Sequence, residues 1–554
     1  MNLNEKVTAV AAGVVAVIAV AGEAQAAKPV KPNIVVILLD DVGYSDLGCY
    51  GSEVPTPNMD RFAEEGIRFR QFYNQARSSP TRVSLLTGLY SHQDGYGSLG
   101  PQKGYPAYQG YANNKNFFIP ELIRKAGYFN IMTGKWHLGQ EKGVTPIKRG
   151  FDRSLNAPTG GYYFSNDVSP KQNGTPTNEK NLYLNDEQLR FDDPRLPKEW
   201  YSTDLWVDMG LKFVDEAIGT GKPFFWYLAH NGAHFPLQAP QETIAKYRGN
   251  YLCGWDPIRN ARYEKQLALG LFTKEEPLTP RNPKVPAWDS LSDEERDRYD
   301  MQMAIYAAVI DRIDQSIGRL VAHLKEKGVF DNTIFILLSD NGGNGEPGIE
   351  GVFKGKNPGS ATSTVFLGAA WADVANTPYF LYKHHAHEGG CNTPLIISYP
   401  KGIDRKLNGS IIKNTCGHVI DLMPTILEIT GAQYPDKKGN IDIPPMEGVS
   451  LVPCFSGGVP ARKNPIIVEH EGNKMLRDGK WKVVQEYKEP LWMLYDMEKD
   501  PTEMNDLAAT NPDQLKKMVD EYQVMAKHIG VEPGIEFKIG KWYTPVADYF
   551  APKK

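Results

Sequence analysis

Four short apolar runs, each ending abruptly in polar or charged residues, constrain this chain more than any other feature. "NIVVILL" (Asn33 to Leu39) meets Asp40 and Asp41, and "YFNIM" (Tyr128 to Met132) meets Thr133-Gly134-Lys135-Trp136-His137. "PFFWYLA" (Pro223 to Ala229) meets His230-Asn231-Gly232-Ala233-His234, and "TIFILL" (Thr333 to Leu338) meets Ser339-Asp340-Asn341-Gly342-Gly343. A run with no polar alternation reads as a strand covered on both faces. Helices lie between the runs. From about Met301 to Lys327, Met303, Tyr306, Ala307, Ile310, Ile313, Ile317, Leu320, Val321 and Leu324 recur at helical spacing, and Gly328 stops them. His418 to Gly431 reads as another helix, with Pro424 marking its start or a kink. Strands alternating with helices predict an α/β fold, a large mixed but mostly parallel sheet between helices.

After about residue 455 the texture changes. "PIIVEHEG", "NKMLRDGKWKVVQEY" and "LWMLYDM" read as short strands with turns such as Arg477-Asp478-Gly479. They predict a smaller antiparallel sheet, closed by a helix near Asp513 to Ile529. At the other end, Lys6, the run "VTAVAAGVVAVIAVAG" and Ala24-Gln25-Ala26 have the layout of a secretory signal peptide. The expected division is therefore 1–26 signal peptide, 27–455 main α/β domain and 456–554 C-terminal α+β subdomain. Export implies a periplasmic or secreted protein handled by the secretion machinery. No cysteine follows the leader for lipid attachment, and no later run is long enough to cross a bilayer. The net charge of −4 supplies no basic field for nucleic acid. Five widely spaced cysteines without a CxxC pair signal neither a zinc knuckle nor a disulfide framework, and leave room for one disulfide.

In an open α/β sheet, ligands bind beyond the carboxyl ends of the strands. Asp40, Asp41, Asp340 and Asn341 would form an oxygen-rich set there, suited to a hard divalent cation. Calcium is the first choice and magnesium the second. Arg82, Lys135, His137, His234 and Lys383 form a cationic set for an anion with several oxygens, and His137 and His234 are suited to proton transfer. His384, His385 and His387 lack the regular spacing of a zinc cluster. Tyr162, Tyr163, Trp371, His384 and His385 are candidates to line the pocket.

The stretch "ARSSPTRVSLLTG" (Ala76 to Gly88) adds the last element. Read alone, it is a helix cap: Ser78 or Ser79 accepts from the first free amides, and Pro80 suits the first turn. A helix starting near Pro80 also presents its positive end to the anion site, with Arg82 close by. Ser78 is then a candidate nucleophile.

Ser78-x-Pro80-x-Arg82 with Thr87-Gly88 resembles the signature of the sulfatases of the alkaline phosphatase superfamily. "NIVVILLDDVGYSDLGCYG", "TGKWHLG", "AHNGAHFPLQAP", "LLSDNGG" and "HEGGCNTPLI" are similar to sulfatase segments in family order, from about residue 32 to 510. "NTPYFLYKHHAHEGG" and "LYDMEKDPTEMNDLA" look closest to the bacterial arylsulfatase-type branch. The resemblance implies an alkaline phosphatase-like fold and a formylglycine made from Ser78, whose hydrate attacks the sulfur of a sulfate ester and leaves a sulfo-enzyme. It implies one calcium ion held by Asp40, Asp41, Asp340, Asn341 and modified Ser78. Arg82 and Lys135 would orient the diol, His137 would take the proton that releases sulfate, and His234 and Lys383 would bind the sulfate and assist the leaving oxygen. Serine rather than cysteine at position 78 implies maturation by a radical-SAM enzyme. The implied substrate is a sulfated glycan or an aryl sulfate. The alternatives are a phosphodiesterase or phosphonate monoester hydrolase on the same scaffold, or a glycan-binding protein with a dead site.

Overall fold

A computed structural model describes residues 31–100, 102–166, 181–487, 489–538, 540 and 544–550. The expected signal peptide, 1–26, lies outside the described residues. Ten strands make the main sheet: β1 Asn33–Leu39, β2 Ile67–Tyr73, β3 Phe129–Lys135, β4 Arg153–Ala157, β5 Leu182–Leu184, β6 Glu187–Leu189, β7 Phe224–Ala229, β8 Thr333–Ser339, β9 Leu395–Ser398 and β10 Ser410–His418. Their order is β10-β2-β9-β8-β1-β7-β3-β4-β5-β6. All strands share one direction except β5 and β9, which pair antiparallel with both neighbours. The sheet is thus large, mixed and mostly parallel.

The unbroken apolar runs are explained by the two faces. Val35, Ile37 and Leu39 point into one core and Ile34, Val36 and Leu38 into the other. Each such side chain, fully buried, contributes about 1.5–3 kcal/mol, so a polar residue on either face of β1 would be costly. Helix α1 (Ser78–Thr87) and helix α4 (Leu422–Thr430) cover one face. Helices α2 (Ser202–Gly219) and α3 (Asp293–Glu326) cover the other. Helix α3 begins eight residues before its periodic stretch. Ser292 caps it, accepting from Glu295 N at 3.2 Å, while the Glu295 carboxylate accepts from Ser292 N at 2.8 Å. This capping box stabilises an exposed, polar first turn that carries no apolar period. Helix α4 follows a short 3-10 turn, Val419–Asp421, and Pro424 sits in its first turn, where no internal acceptor is lost.

The C-terminal sheet is antiparallel, in chain order: β11 Ile466–His470, β12 Asn473–Asp478, β13 Trp481–Gln485 and β14 Met493–Asp496. Helix α5 (Pro512–Ile529) packs Met518, Tyr522, Ala526 and Ile529 against one face. The other face meets Tyr73, Ala76, Ala386 and Cys391, the segments that lead to Ser78 and follow Lys383. All five cysteines are free thiols. Among the described residues, no helix is long and apolar enough to cross a membrane.

Candidate active site at the strand ends

Strands β8, β1, β7 and β3 are neighbours and parallel, and they end level. Leu38 lies beside both Leu338 and Ala229, and Ala229 beside Gly134. Their four exits therefore open on one edge. Successive side chains on a strand face opposite sides, yet Asp40 and Asp41 both serve this edge. Asp41 adopts a left-handed backbone (φ 60°), and so does His137 (φ 58°) after Lys135. Such conformations cost about 1–3 kcal/mol each and cluster at working sites.

Ser78 is the first residue of α1, and its side chain is not a cap. Its Oγ lies 3.2 Å from Asp40 Oδ1, 3.4 Å from Asn341 Oδ1 and 3.3 Å from Lys135 Nζ. The N-cap position belongs to Arg77, without a side-chain cap. Lys135 Nζ pairs with Asp40 Oδ2 at 2.7 Å. Arg82 donates to Asp340 Oδ2 from two nitrogens, at 2.8 and 3.2 Å, and to Lys135 O at 3.1 Å. Asn341 donates to Asp41 Oδ1 at 2.7 Å, and Lys383 Nζ reaches the same oxygen at 2.7 Å. His234 Nε2 stands 3.9 Å from Asp41 Oδ2. The sequence-predicted residues Asp40, Asp41, Ser78, Arg82, Lys135, His234, Asp340, Asn341 and Lys383 thus meet in one place, and all of them except His234 are at most 2% exposed. His137 lies near the same cations, and its Nδ1 is buried without a hydrogen-bond partner.

Residues 32–432 match the sulfatase family, and residues 378–528 match the N-sulphoglucosamine sulphohydrolase C-terminal family. The chain belongs to the sulfatase family. This sulfatase is 34% identical over 531 residues to an uncharacterized sulfatase of Schizosaccharomyces pombe, covering 90% of this chain and 94% of the relative. It is 34% identical over 463 residues to an arylsulfatase of Klebsiella aerogenes, covering 81% and 96%. The solved structure of Ps i-CgsB in complex with k-i-k-neocarrahexaose is similar at TM-score 0.66 and 25% identity, over 94% of this chain and 96% of that one. The fold is alkaline phosphatase-like and the protein is a sulfuric ester hydrolase.

The sulfatase's site is electrostatically tense. Burial, and then the neighbouring Asp340 and Asp41, push Asp40 up to about 7 against the pull of Lys135 and Arg82. Burial also opposes ionisation of Asp41 and Asp340, but Lys383 holds the first below the usual carboxylate range, and Arg82 and Lys135 the second. Three carboxylates face three cations, so the cluster is close to neutral as it stands. A divalent cation would relieve the carboxylate crowding and turn the site positive. Asp40, Asp41 and His234 offer ligand atoms within 4.8 Å of one another. With Asp340 and the Asn341 carbonyl alongside, the donor set is dominated by oxygen and fits a hard cation.

Burial, and then Lys135, lower His234 to about 3. Its Nδ1 lies 2.7 Å from Phe235 O. A carbonyl only accepts, so Nδ1 carries the proton and Nε2 faces Asp41. Burial, then Lys135 and Arg82, hold His137 well below its usual value.

Sequence reasoning missed Asn344, whose Nδ2 donates to Asp41 Oδ2 at 2.8 Å. It stands three residues after Asn341 in a glycine-rich turn, and that composition was its only signal. Two candidate lining residues belong elsewhere. Trp371 is wholly buried against Trp255 and Tyr251, its Nε1 donating to Tyr299 O at 3.1 Å. His385 is wholly buried on Glu486 at 2.9 Å. Both side chains fill interior layers rather than the mouth. Tyr163 is also buried and donates to the backbone carbonyl of His234 at 2.8 Å, so it holds the main chain that carries the imidazole.

Proposed function

We propose that this sulfatase is exported and removes sulfate from a sulfated carbohydrate or an aryl sulfate, using formylglycine at position 78 and one calcium ion. The observation that carries the proposal is the convergence of Ser78 Oγ on Asp40, Asn341 and Lys135 within 3.4 Å. The substrate class is supported by the relative named an arylsulfatase and by the similar structure bound to neocarrahexaose. In this reading residues 1–26 are a signal peptide, 27–455 the catalytic part and 456–554 the C-terminal part. A radical-SAM enzyme matures Ser78.

Asp40, Asp41, Asp340 and Asn341 would hold the calcium. Bound there, the ion and the hydrated aldehyde supply Lewis-acid polarisation of the sulfate and an oxygen nucleophile. The chain's own residues do the rest. Arg82 and Lys135 fix the side chain at position 78 and offset negative charge beside it. Lys383, which rests on Asp41, would bind the incoming sulfate. His234 starts neutral with Nε2 toward the site. The arriving anion raises its proton affinity, so Nε2 takes up a proton from water, and the imidazolium then passes that proton to the leaving oxygen as charge develops there. His137, kept neutral by burial and by the cations around it, accepts the proton from position 78 that releases sulfate.

The test is peptide mass spectrometry of the segment containing residues 78–82 from the native host, combined with sulfate release by wild type and Ser78→Ala. The expected result is loss of two hydrogen atoms at position 78 and no turnover by the variant. Full activity of Ser78→Ala, or a strong preference for a phosphodiester over the matched sulfate ester, would overturn the proposal.

A further inference from the structure

Outside the oxygen cage, a second group of ligating side chains gathers where the C-terminal sheet meets the Lys383 segment. The hairpin between β11 and β12 turns at Glu471 and Gly472, both left-handed (φ 51° and 88°). It brings His470 and Glu471 up to His384, the residue after Lys383. Ligand atoms of His384, His470 and Glu471 all lie within 4.8 Å of one another, without a hydrogen bond joining the two hairpin residues: His470 Nε2 stands 3.9 Å from Glu471 Oε2. The His384 and His470 rings are 5.7 Å apart, tilted by 34°.

His470 is the telling residue. It is 0% exposed, and neither ring nitrogen has a hydrogen-bond partner. An unmet buried polar group costs about 1–3 kcal/mol, so a histidine placed here with nothing to bind is a liability. His230 is buried in the same unmet way, but it belongs to no such cluster. Only this group and the one at Asp40, Asp41 and His234 gather three ligand atoms among the described residues. The backbone holds His384 firmly: His384 N donates to Ala76 O at 3.0 Å, and Asn473 Nδ2 donates to His384 O at 2.9 Å. Its Nε2 lies 3.1 Å from Glu346 Oε1. A carboxylate behind an imidazole is the usual support of a metal-bound histidine. Arg77 Nη1 meets both ring nitrogens, standing 3.4 Å from Nδ1, and pairs with Glu346 at 3.3 Å, which offsets its charge.

We propose that His384, His470 and Glu471 form a second metal site, distinct from the oxygen cage, that takes a borderline dication of the zinc class. Two imidazoles and one carboxylate are the donors such ions prefer, whereas calcium and magnesium prefer all-oxygen sets. An ion here would pin the hairpin tip to the residue that follows Lys383, coupling the C-terminal sheet to the sulfate-facing lysine.

Co2+ serves as the probe, because its visible absorption reports nitrogen and oxygen coordination. The full-length protein is stripped with chelator, returned to excess Ca2+ to keep the oxygen cage filled, and titrated with Co2+. The expected result is one saturable Co2+ per chain, displaced by Zn2+ and kept in Asp40→Asn. Affinity falls by about tenfold or more in His470→Gln and in Glu471→Gln, with far-ultraviolet circular dichroism unchanged. Glu471 sits in a surface turn, so its variant keeps the test valid if His470→Gln fails to fold. The proposal is overturned if wild type shows no saturable Co2+ signal or if Glu471→Gln binds as wild type does. It is equally overturned if the signal disappears in Asp40→Asn but survives in His470→Gln, which would place the cobalt in the oxygen cage.

Discussion

Glu503→Gln tests how the C-terminal sheet is locked beneath the segment that follows Lys383. Glu503 is 1% exposed. It pairs with Lys482 at 2.8 Å and His387 Nδ1 at 3.0 Å, and it accepts from the Glu388 amide at 2.8 Å. Glu388 shares Lys482 at 2.6 Å, and Glu486 stands 3.9 Å from the far nitrogen of His387. Burial opposes the charge on Glu503, but Lys482 and His387 outweigh it and lower the group from 4.5 to about 2. A carboxylate depressed on folding stabilises the native state in full above its unfolded value. That contribution fades as pH falls through the folded value. At 1.36 kcal/mol per unit, the gap amounts to about 3 kcal/mol at pH 7, and the same linkage leaves about 1 kcal/mol at pH 3. Glutamine keeps the shape and cannot titrate. The stability difference between wild type and Glu503→Gln should therefore narrow by about 2 kcal/mol between pH 7 and pH 3, read from urea unfolding followed by tryptophan fluorescence. A difference that stays constant across that range would refute the reasoning, because the carboxylate would then not be held charged by its partners.

Arg82→Met should destabilise the fold by about 3–5 kcal/mol, because it strands the wholly buried Asp340 carboxylate; a melting curve like that of wild type would show that Asp340 is held by something else. Gly134→Ala should lower the melting temperature sharply or abolish soluble expression. A Cβ there would lie 1.8 Å from Ala229 O on a backbone of φ 108°, whereas Gly127→Ala, with open space around it, serves as the comparison. Chelation should remove activity and lower the melting temperature, with Ca2+ restoring both better than Mg2+. At about a hundredfold excess over its dissociation constant, the ion adds about 2.7 kcal/mol, and calorimetry that finds no such gain would count against a cation in the oxygen cage.

The strands were legible because their cause is local. A seven-residue apolar run needs both faces covered, and the polar residues after it must lie at the strand's end. Four such exits, with Ser78 and Arg82 at a helix start, were enough to expect a shared anion and cation site. Helix α3 shows the limit of periodicity: its first turns are held by the Ser292–Glu295 cap and leave no apolar stripe to read. Trp371 and His385 show another limit, since an aromatic in a stretch without clear periodicity looks the same whether it faces a cavity or a core. Only the tertiary structure decided that β8, β1, β7 and β3 are neighbours. Only it decided that Lys383 rests on Asp41, and that a hairpin from the far end of the chain sets His470 and Glu471 beside His384. Those placements depend on pairings between residues from about ninety to several hundred positions apart, whose energy is shared across the whole fold and leaves no mark in any short stretch of sequence.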